Sequence, residues 1–208
     1  FAKAGYPLDV EALLIIEGEG SEEEISPLLG RIVEIATPFN PRGMRVSASP
    51  EESAAIWRGR KSAFGALGRI SDYYCMDGTI PLGRLPEVLT RISEICTGHG
   101  LKVANIFHAG DGNLHPLILY EANDPEQVRK AEEAGAEVLK LCVEVGGCLT
   151  GEHGVGVEKR DLMPSQFTSG ELALQMRLKT VFDPQWLLNP HKVFPLEGRE
   201  IQNMAWEH

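Results

Sequence analysis

Only nine residues, His108-Ala-Gly-Asp-Gly-Asn-Leu-His-Pro116, separate two apolar, strand-like runs at 101–107 and 117–120. A parallel pair needs a long crossover, so these strands are antiparallel neighbours and the sheet that holds them cannot be wholly parallel. Within the connection, Asp111-Gly112 is the strongest hairpin signal, because a two-residue type I′ turn needs positive φ at both central positions. That turn predicts Gly110 opposite Asn113, Ala109 opposite Leu114 and His108 opposite His115. Facing residues on one side of a sheet have Cβ atoms about 5 Å apart, a span that suits two imidazoles on one metal ion.

A second cluster follows downstream in Gly151-Glu-His-Gly-Val-Gly156. Adjacent side chains diverge, so Glu152 can complete a two-histidine, one-carboxylate shell while His153 stays off the metal as a base. The competing explanation is structural: single histidines are commonly surface residues and glycine clusters are commonly turns. A histidine pair across an Asp-Gly turn, together with Glu152 and His153, favours function. The glycine spacing itself lacks the strand-to-helix setting of a dinucleotide site and fits the turn of a metal site better.

The 208 residues suit one large domain or two small subdomains, and the net charge of -10 argues against nucleic acid or an anionic membrane surface as a partner. Cys75, Cys96, Cys142 and Cys148 are dispersed, without Cys-x-x-Cys spacing, which points to a reducing cytoplasm. No apolar run approaches the roughly 18 residues of a spanning helix, and no leader pattern precedes the domain. A first residue of Phe1 rather than methionine suggests a fragment or a processed chain.

In order, residues 11–17 read as a buried strand, and Ser21 with Glu24 forms a capping box for a helix with an apolar stripe at Ile25, Leu28, Leu29 and Ile32. Residues 44–48 are a second strand candidate. Ser49-Pro50-Glu51-Glu52 starts another helix, whose Arg58, Arg60 and Lys61 read by themselves as a solvated face. A strand over 71–80 ends at Pro81, and Pro86 opens a helix. After the histidine hairpin, Asp124-Pro125 starts the longest helix, closed by Gly146-Gly147, and a short strand over 148–151 leads into the Glu152 turn. A last helix runs from about Ser169 to Asp183-Pro184. The expected class is α+β: two ferredoxin-like units sharing a mostly antiparallel sheet, with helices on one face.

Five ordered segments, "WRGRKSAFGALGRIS", "YYCMDGTIP", "VANIFHAGDGNLHPLILY", "CVEVGGCLTGEHGVGVEKR" and "FDPQWLLNPHKVF", resemble the C-terminal half of the FAD-linked oxidases of the vanillyl-alcohol-oxidase type. Within that family the chain is most similar to the branch that oxidises glycolate, D-lactate and D-2-hydroxyglutarate. The resemblance implies that residues 1–208 are the substrate-binding cap domain, that FAD sits mainly on an N-terminal domain missing from this chain, and that a small D-2-hydroxy acid is oxidised to the 2-oxo acid by hydride transfer to flavin. It also implies that His108, His115 and Glu152 hold a divalent metal, that His153 is the base and that Arg60 pairs with the substrate carboxylate. Where the hydroxyglutarate enzymes carry a second basic anchor this chain has Cys75, which favours a substrate with one carboxylate such as glycolate or lactate.

Asn189 and Lys192 match a flavin-side motif, with His191 in place of its usual glycine, and Asn113 and Lys159 are candidates for substrate or supporting contacts. Imidazole and carboxylate ligands suit zinc, manganese or iron. The implied partners are the chain's own FAD domain, a second flavin-type subunit and an iron–sulfur subunit, in a cytoplasmic setting or at a membrane through those subunits. Two other classes stand beside this reading. One is a self-contained metal-dependent hydrolase using the same ligands to activate water, and the other is a ferredoxin-like interaction module without catalysis.

Overall fold

The computed structural model of the chain describes residues 3–195. They divide into two compact units, one ending at Ala66 and the other beginning at Leu67. The first unit carries α1 (Glu22–Ala36) and most of α2 (Pro50–Leu67). Both helices start where the capping residues predict. In α1, the Glu24 carboxylate accepts the Ser21 N–H at 2.8 Å. In α2, Ser49 Oγ accepts the Glu52 N–H at 3.3 Å while the Glu52 carboxylate accepts the Ala48 N–H at 2.7 Å. These bonds satisfy N–H groups that the start of a helix leaves open.

The two strands expected in this unit do not form. Residues 11–17 and 44–48 lie outside any ladder, and Leu13, Leu14, Ile16, Met44 and Val46 stay exposed. An apolar run becomes a strand only where a second edge takes up its N–H and C=O groups, and no described residue of this unit supplies one. What holds the unit locally is side-chain contact around α2: Tyr6 covers Gly59 and donates its hydroxyl to the Ile56 carbonyl, and Trp57 Nε1 donates to Glu17 at 3.0 Å. The first of the two expected ferredoxin-like units is therefore without strand pairing among the described residues.

The second unit is α+β and antiparallel. Its strands are β1 (Asp72–Cys75), β2 (Gly78–Thr79), β3 (Lys102–Asn105), β4 (Asn113–Leu114) and β5 (Pro116–Tyr120). β5 lies between β1 and β3 in one sheet, while β2 pairs with β4 in a second. The single strand expected over 71–80 is interrupted at Met76 and Asp77, and His115 interrupts the opposite strand between β4 and β5. The register passes through both breaks. Cys75 pairs with Leu117 and Gly78 with Leu114, which brings Asp77 opposite His115. Thr79 makes one bridge to Cys148, where the sequence predicts a short strand.

Alternation of side chains sorts these residues onto two faces. Met76, Leu114 and Ile118 enter the core with Val88, Ile92 and Cys96 of α3 (Leu85–Gly98) and Ala131, Ala134, Val138, Leu139 and Cys142 of α4 (Pro125–Glu144). Asp77, His115 and Leu117 point the other way, so helices cover one face and the histidine lies on the other. α4 starts as predicted: the Asp124 side chain accepts N–H groups from Glu126 and Gln127. Beyond it come α5 (Met163–Gln166) and α6 (Ser169–Phe182), the latter begun by a capping box of Thr168 and Glu171. Among the described residues no helix is long and apolar enough to cross a membrane.

The histidine hairpin departs from the predicted turn. Its loop has four residues, with a 3₁₀ turn at Ala109–Asp111 and Gly112 at φ 67°, and His108 bridges Asn113 rather than facing His115. Ile106 takes the place opposite His115, donating its N–H to the His115 carbonyl at 3.3 Å. The register is thus two residues away from that of a type I′ hairpin. Tertiary pairing decides it: β4 is held by β2, and the Ile80 N–H donates to the Gly112 carbonyl at 2.9 Å. A shift of two keeps every side chain on its face, whereas a shift of one would reverse it. His108 and His115 remain on the same side as diagonal neighbours.

Candidate functional site

The site is built at the two strand breaks and the glycine loop that follows Cys148. His115 is 4% exposed, and its ring centroid lies 5.5 Å from that of His108 in an edge-to-face arrangement. On its other side the His153 ring stacks on it at 5.2 Å with an interplanar angle of 12°. Nε2 of His115 is 3.1 Å from Glu152 Oε1 and 3.6 Å from Asp77 Oδ1. Burial depresses the proton affinity of His115 below the ordinary histidine value, and the neighbouring His153 adds to this against the opposing pull of Asp77 and Glu152. The balance favours the neutral ring, which is the form that ligates metals.

Asp77 is fully buried and was assigned no role from the sequence. Its carboxylate accepts the Thr150 hydroxyl at 2.7 Å, the N–H groups of Gly151 and His153 at 3.0 Å each, the Glu152 N–H at 3.1 Å and the Lys159 ammonium at 3.1 Å. Burial by itself would raise its pKa, but these hydrogen bonds win and hold the carboxyl far below the usual carboxylate range. Lys159, a candidate for a substrate or supporting contact, is 3% exposed and also donates to the Asp77 carbonyl at 2.9 Å. The signal that could have found Asp77 is its place in Met76-Asp-Gly78, which interrupts an otherwise strand-like stretch; read locally, that is only a turn.

One potential ligand atom from each of Asp77, His115, Glu152 and His153 lies within 4.8 Å of the others. Ligands of one ion with bonds of about 2.1 Å stand roughly 3 to 3.5 Å apart, so the His115–Glu152 separation already has the required size. The donor set, imidazole plus carboxylate with a neutral buried histidine, fits a divalent transition metal. Of the predicted ligands, the structure brings His115 and Glu152 together directly and leaves His108 beside them. It places His153, predicted as the base, within the same donor group. Glu152 and His153 are exposed, so the group is open to a small molecule on one side.

Asn113 is buried next to the cluster, its Oδ1 has no hydrogen-bond partner among the described residues, and a Cβ on Gly151 would lie 2.5 Å from that oxygen. Cys75 precedes Asp77 on the same face, and burial pushes its thiol up to about 11. Asn189, at φ 46°, and Lys192 are both exposed on the irregular segment after α6. That segment is tied to the glycine loop: Val193 donates its N–H to the Gly156 carbonyl at 2.8 Å, and Arg160 Nη1 donates to the His191 carbonyl at 2.6 Å. Arg60 belongs to the first unit, where its guanidinium lies 5.7 Å from the Phe64 ring centroid.

The chain is 48% identical over 196 residues to the glycolate oxidase subunit GlcD of Escherichia coli, a match covering 94% of this chain and 39% of that protein. It is 30% identical to the glycolate oxidase subunit GlcD of Bacillus subtilis, over 96% of this chain and 43% of the relative. The mitochondrial D-lactate dehydrogenase [cytochrome] of Kluyveromyces lactis is 28% identical, over 89% of this chain and 33% of its own length. The chain thus spans about two fifths of the first two and about a third of the last. Among solved structures, 4-ethylphenol oxidase from Gulosibacter chungangensis, in its isoeugenol complex, superposes with a TM-score of 0.60 at 15% identity, covering 86% of this chain and 39% of that one, which is a likeness of fold. Residues 1–193 match the family described as FAD linked oxidases, C-terminal domain, and the chain belongs to that family.

Proposed function

We propose that the chain is the substrate- and metal-binding domain of an FAD-dependent oxidoreductase that converts a small D-2-hydroxy acid, glycolate or D-lactate, to the 2-oxo acid. The observation that carries this reading is the convergence of His115, Glu152 and His153 on one open face, in a chain of the FAD-linked oxidase family. Family membership supports it over a self-contained hydrolase or a non-catalytic module, and the names of the relatives support glycolate and D-lactate as the substrate class.

His115 and Glu152 are the central metal ligands, with His108 as the third, and zinc, manganese and iron all suit them. When bound, the metal supplies Lewis acidity toward the substrate oxygen, and FAD, carried mainly on a separate N-terminal domain, supplies the two-electron acceptor. The chain's own residues do the rest. His153 Nδ1 or Nε2 takes the proton of the 2-hydroxyl, Arg60 pairs with the substrate carboxylate, and Asn113 offers its buried amide to the substrate. Stacking on His115 fixes the plane of the His153 ring, so its nitrogens keep a constant direction. Asn189 and Lys192 are assigned to the flavin side, next to the glycine loop that carries His153.

The word subunit in the names of the relatives supports an assembly, here with a second flavin-type subunit and an iron–sulfur subunit, in the cytoplasm or against a membrane through those partners. For the fold, the order in which β3, the β4–β5 strand, the β1–β2 strand and Cys148 lie side by side supports one ferredoxin-like unit, and residues 1–66 are assigned to part of a second. The test of function is turnover by the full-length protein with glycolate, D-lactate and D-2-hydroxyglutarate, beside elemental analysis of the bound metal. Oxidation of the two monocarboxylates with stoichiometric metal is the expected result. Hydrolysis of an ester or lactone by the flavin-free chain would replace this reading with the hydrolase.

A further inference from the structure

Asp77 is included in the donor group by distance, yet its bonding sets it apart from the other three members. Oδ2 already accepts from the Thr150 hydroxyl, the Gly151 and His153 N–H groups and the Lys159 ammonium, and shares the Glu152 N–H at 3.3 Å. Oδ1 accepts the Glu152 N–H at 3.1 Å and has its remaining side toward His115, 3.6 Å away. An ionised carboxylate offers about four lone-pair sites, two on each oxygen, so Oδ2 is saturated by the loop and Lys159 while Oδ1 keeps one site, facing His115. The donors moreover come from successive residues of one loop. Consecutive N–H groups turned inward form a nest that binds an anion, and here the anion is the protein's own side chain.

Of the three residues whose N–H groups Asp77 holds, two, Glu152 and His153, send their side chains from the loop toward His115. Glu152 and His153 are exposed, and no other described hydrogen bond fixes either backbone N–H. Fixing two adjacent N–H groups on one buried carboxylate fixes the direction of both Cα–Cβ bonds. The Lys159 ammonium, 3.1 Å away and also buried, pairs with that carboxylate, so neither charge is buried alone. We infer that Asp77, with Lys159 behind it, is a positioning residue that sets Glu152 and His153 against His115. This inference deepens the metal reading given above and rests on it for the ligand.

The test compares the chain with its Asp77→Asn and Thr150→Val variants in two readouts: amide hydrogen exchange residue by residue, and affinity for manganese and zinc by titration. An amide in place of the carboxylate turns an NH₂ toward the loop donors; the valine removes one donor and leaves the fold intact. For Asp77→Asn the expected result is exchange at least tenfold faster at residues 151–153, with β5 and α4 protected as before, and metal affinity lower by about 10- to 100-fold, the usual consequence of losing a group that orients metal ligands. Thr150→Val shows the same pattern at smaller amplitude and covers the case in which Asp77→Asn does not fold. Parental exchange at 151–153 in either folded variant overturns the role of Asp77. So does parental metal affinity in Asp77→Asn. If the parent chain itself takes up no metal, the metal reading fails, and the exchange data still decide whether Asp77 sets the loop.

Discussion

Asp77 stands directly across the sheet from His115, at the point where both of their strands are interrupted, and its Oδ1 lies 3.6 Å from the histidine Nε2. Two residues far apart in sequence thus share one cross-strand position. At the interruption the Asp77 carbonyl accepts the Lys159 ammonium at 2.9 Å. The Asp77 carboxylate gathers the loop at 150–153, and that loop delivers Glu152 and His153 to the histidine.

Replacing His115 by alanine should abolish metal binding. Elemental analysis after equal exposure to zinc and manganese and desalting should find stoichiometric metal in the parent and less than a tenth of that in the variant. Retention of metal by His115→Ala would remove this cluster from consideration as the metal site.

His108 and His153 exchange places in the two ways of filling the shell, and paired variants separate them. With His153 as the base, His153→Ala in the full-length protein keeps its metal and loses roughly two to four powers of ten in turnover. His108→Ala then loses metal and turnover together. The reverse pattern, metal lost from His153→Ala and kept by His108→Ala, would make His153 the ligand.

Gly112 is required by two independent constraints: a φ of 67°, and a position where a Cβ would run into the Ile80 carbonyl oxygen. Gly112→Ala should therefore destabilise the chain by at least about 1–3 kcal/mol, read as a lower midpoint in denaturant unfolding. Gly110→Ala, in the same loop with open space at its Cβ, is the control and should change little.

Asp183 accepts the Leu187 and Leu188 N–H groups at 3.0 Å each and the Lys179 ammonium at 2.8 Å. The hydrogen bond from Lys179 is the largest cause that lowers its pKa in the fold. A depressed carboxylate contributes stability that is complete above its unfolded value, near 3.8, and is lost as pH falls through the folded value below it. Acid should therefore loosen the turn at 187–188 ahead of the core, and Asp183→Asn should remove that pH dependence. Amide exchange at Leu187 and Leu188 between pH 5 and pH 2.5 measures it; identical pH profiles in the two proteins would show that Asp183 does not hold the turn.

The helices were legible because their signals are local. Ser21 with Glu24, Ser49 with Glu52 and Asp124-Pro125 each satisfy open N–H groups within one turn, and each starts a helix in the structure. The motifs holding His115, Glu152 and His153 were legible for a similar reason, since unusual residue types crowd into short stretches. The ladder was less so. Residues 11–17 have the composition of a strand, but a strand exists only with a partner edge, and that information is not in the run itself.

By itself the sequence determined the antiparallel connection at 108–116, the helix starts, the family and the three side chains on which the proposed chemistry turns. The register of the hairpin, the burial of Lys159 and the contacts of Asp77 depend on the assembled fold. The physical reason is the same in each case. A turn type, a charged side chain and an aspartate beside a glycine are each cheap to place locally in several ways, and the choice falls to long-range partners: β2 for the hairpin, Asp77 for Lys159, and the loop N–H groups at 151–153 for Asp77.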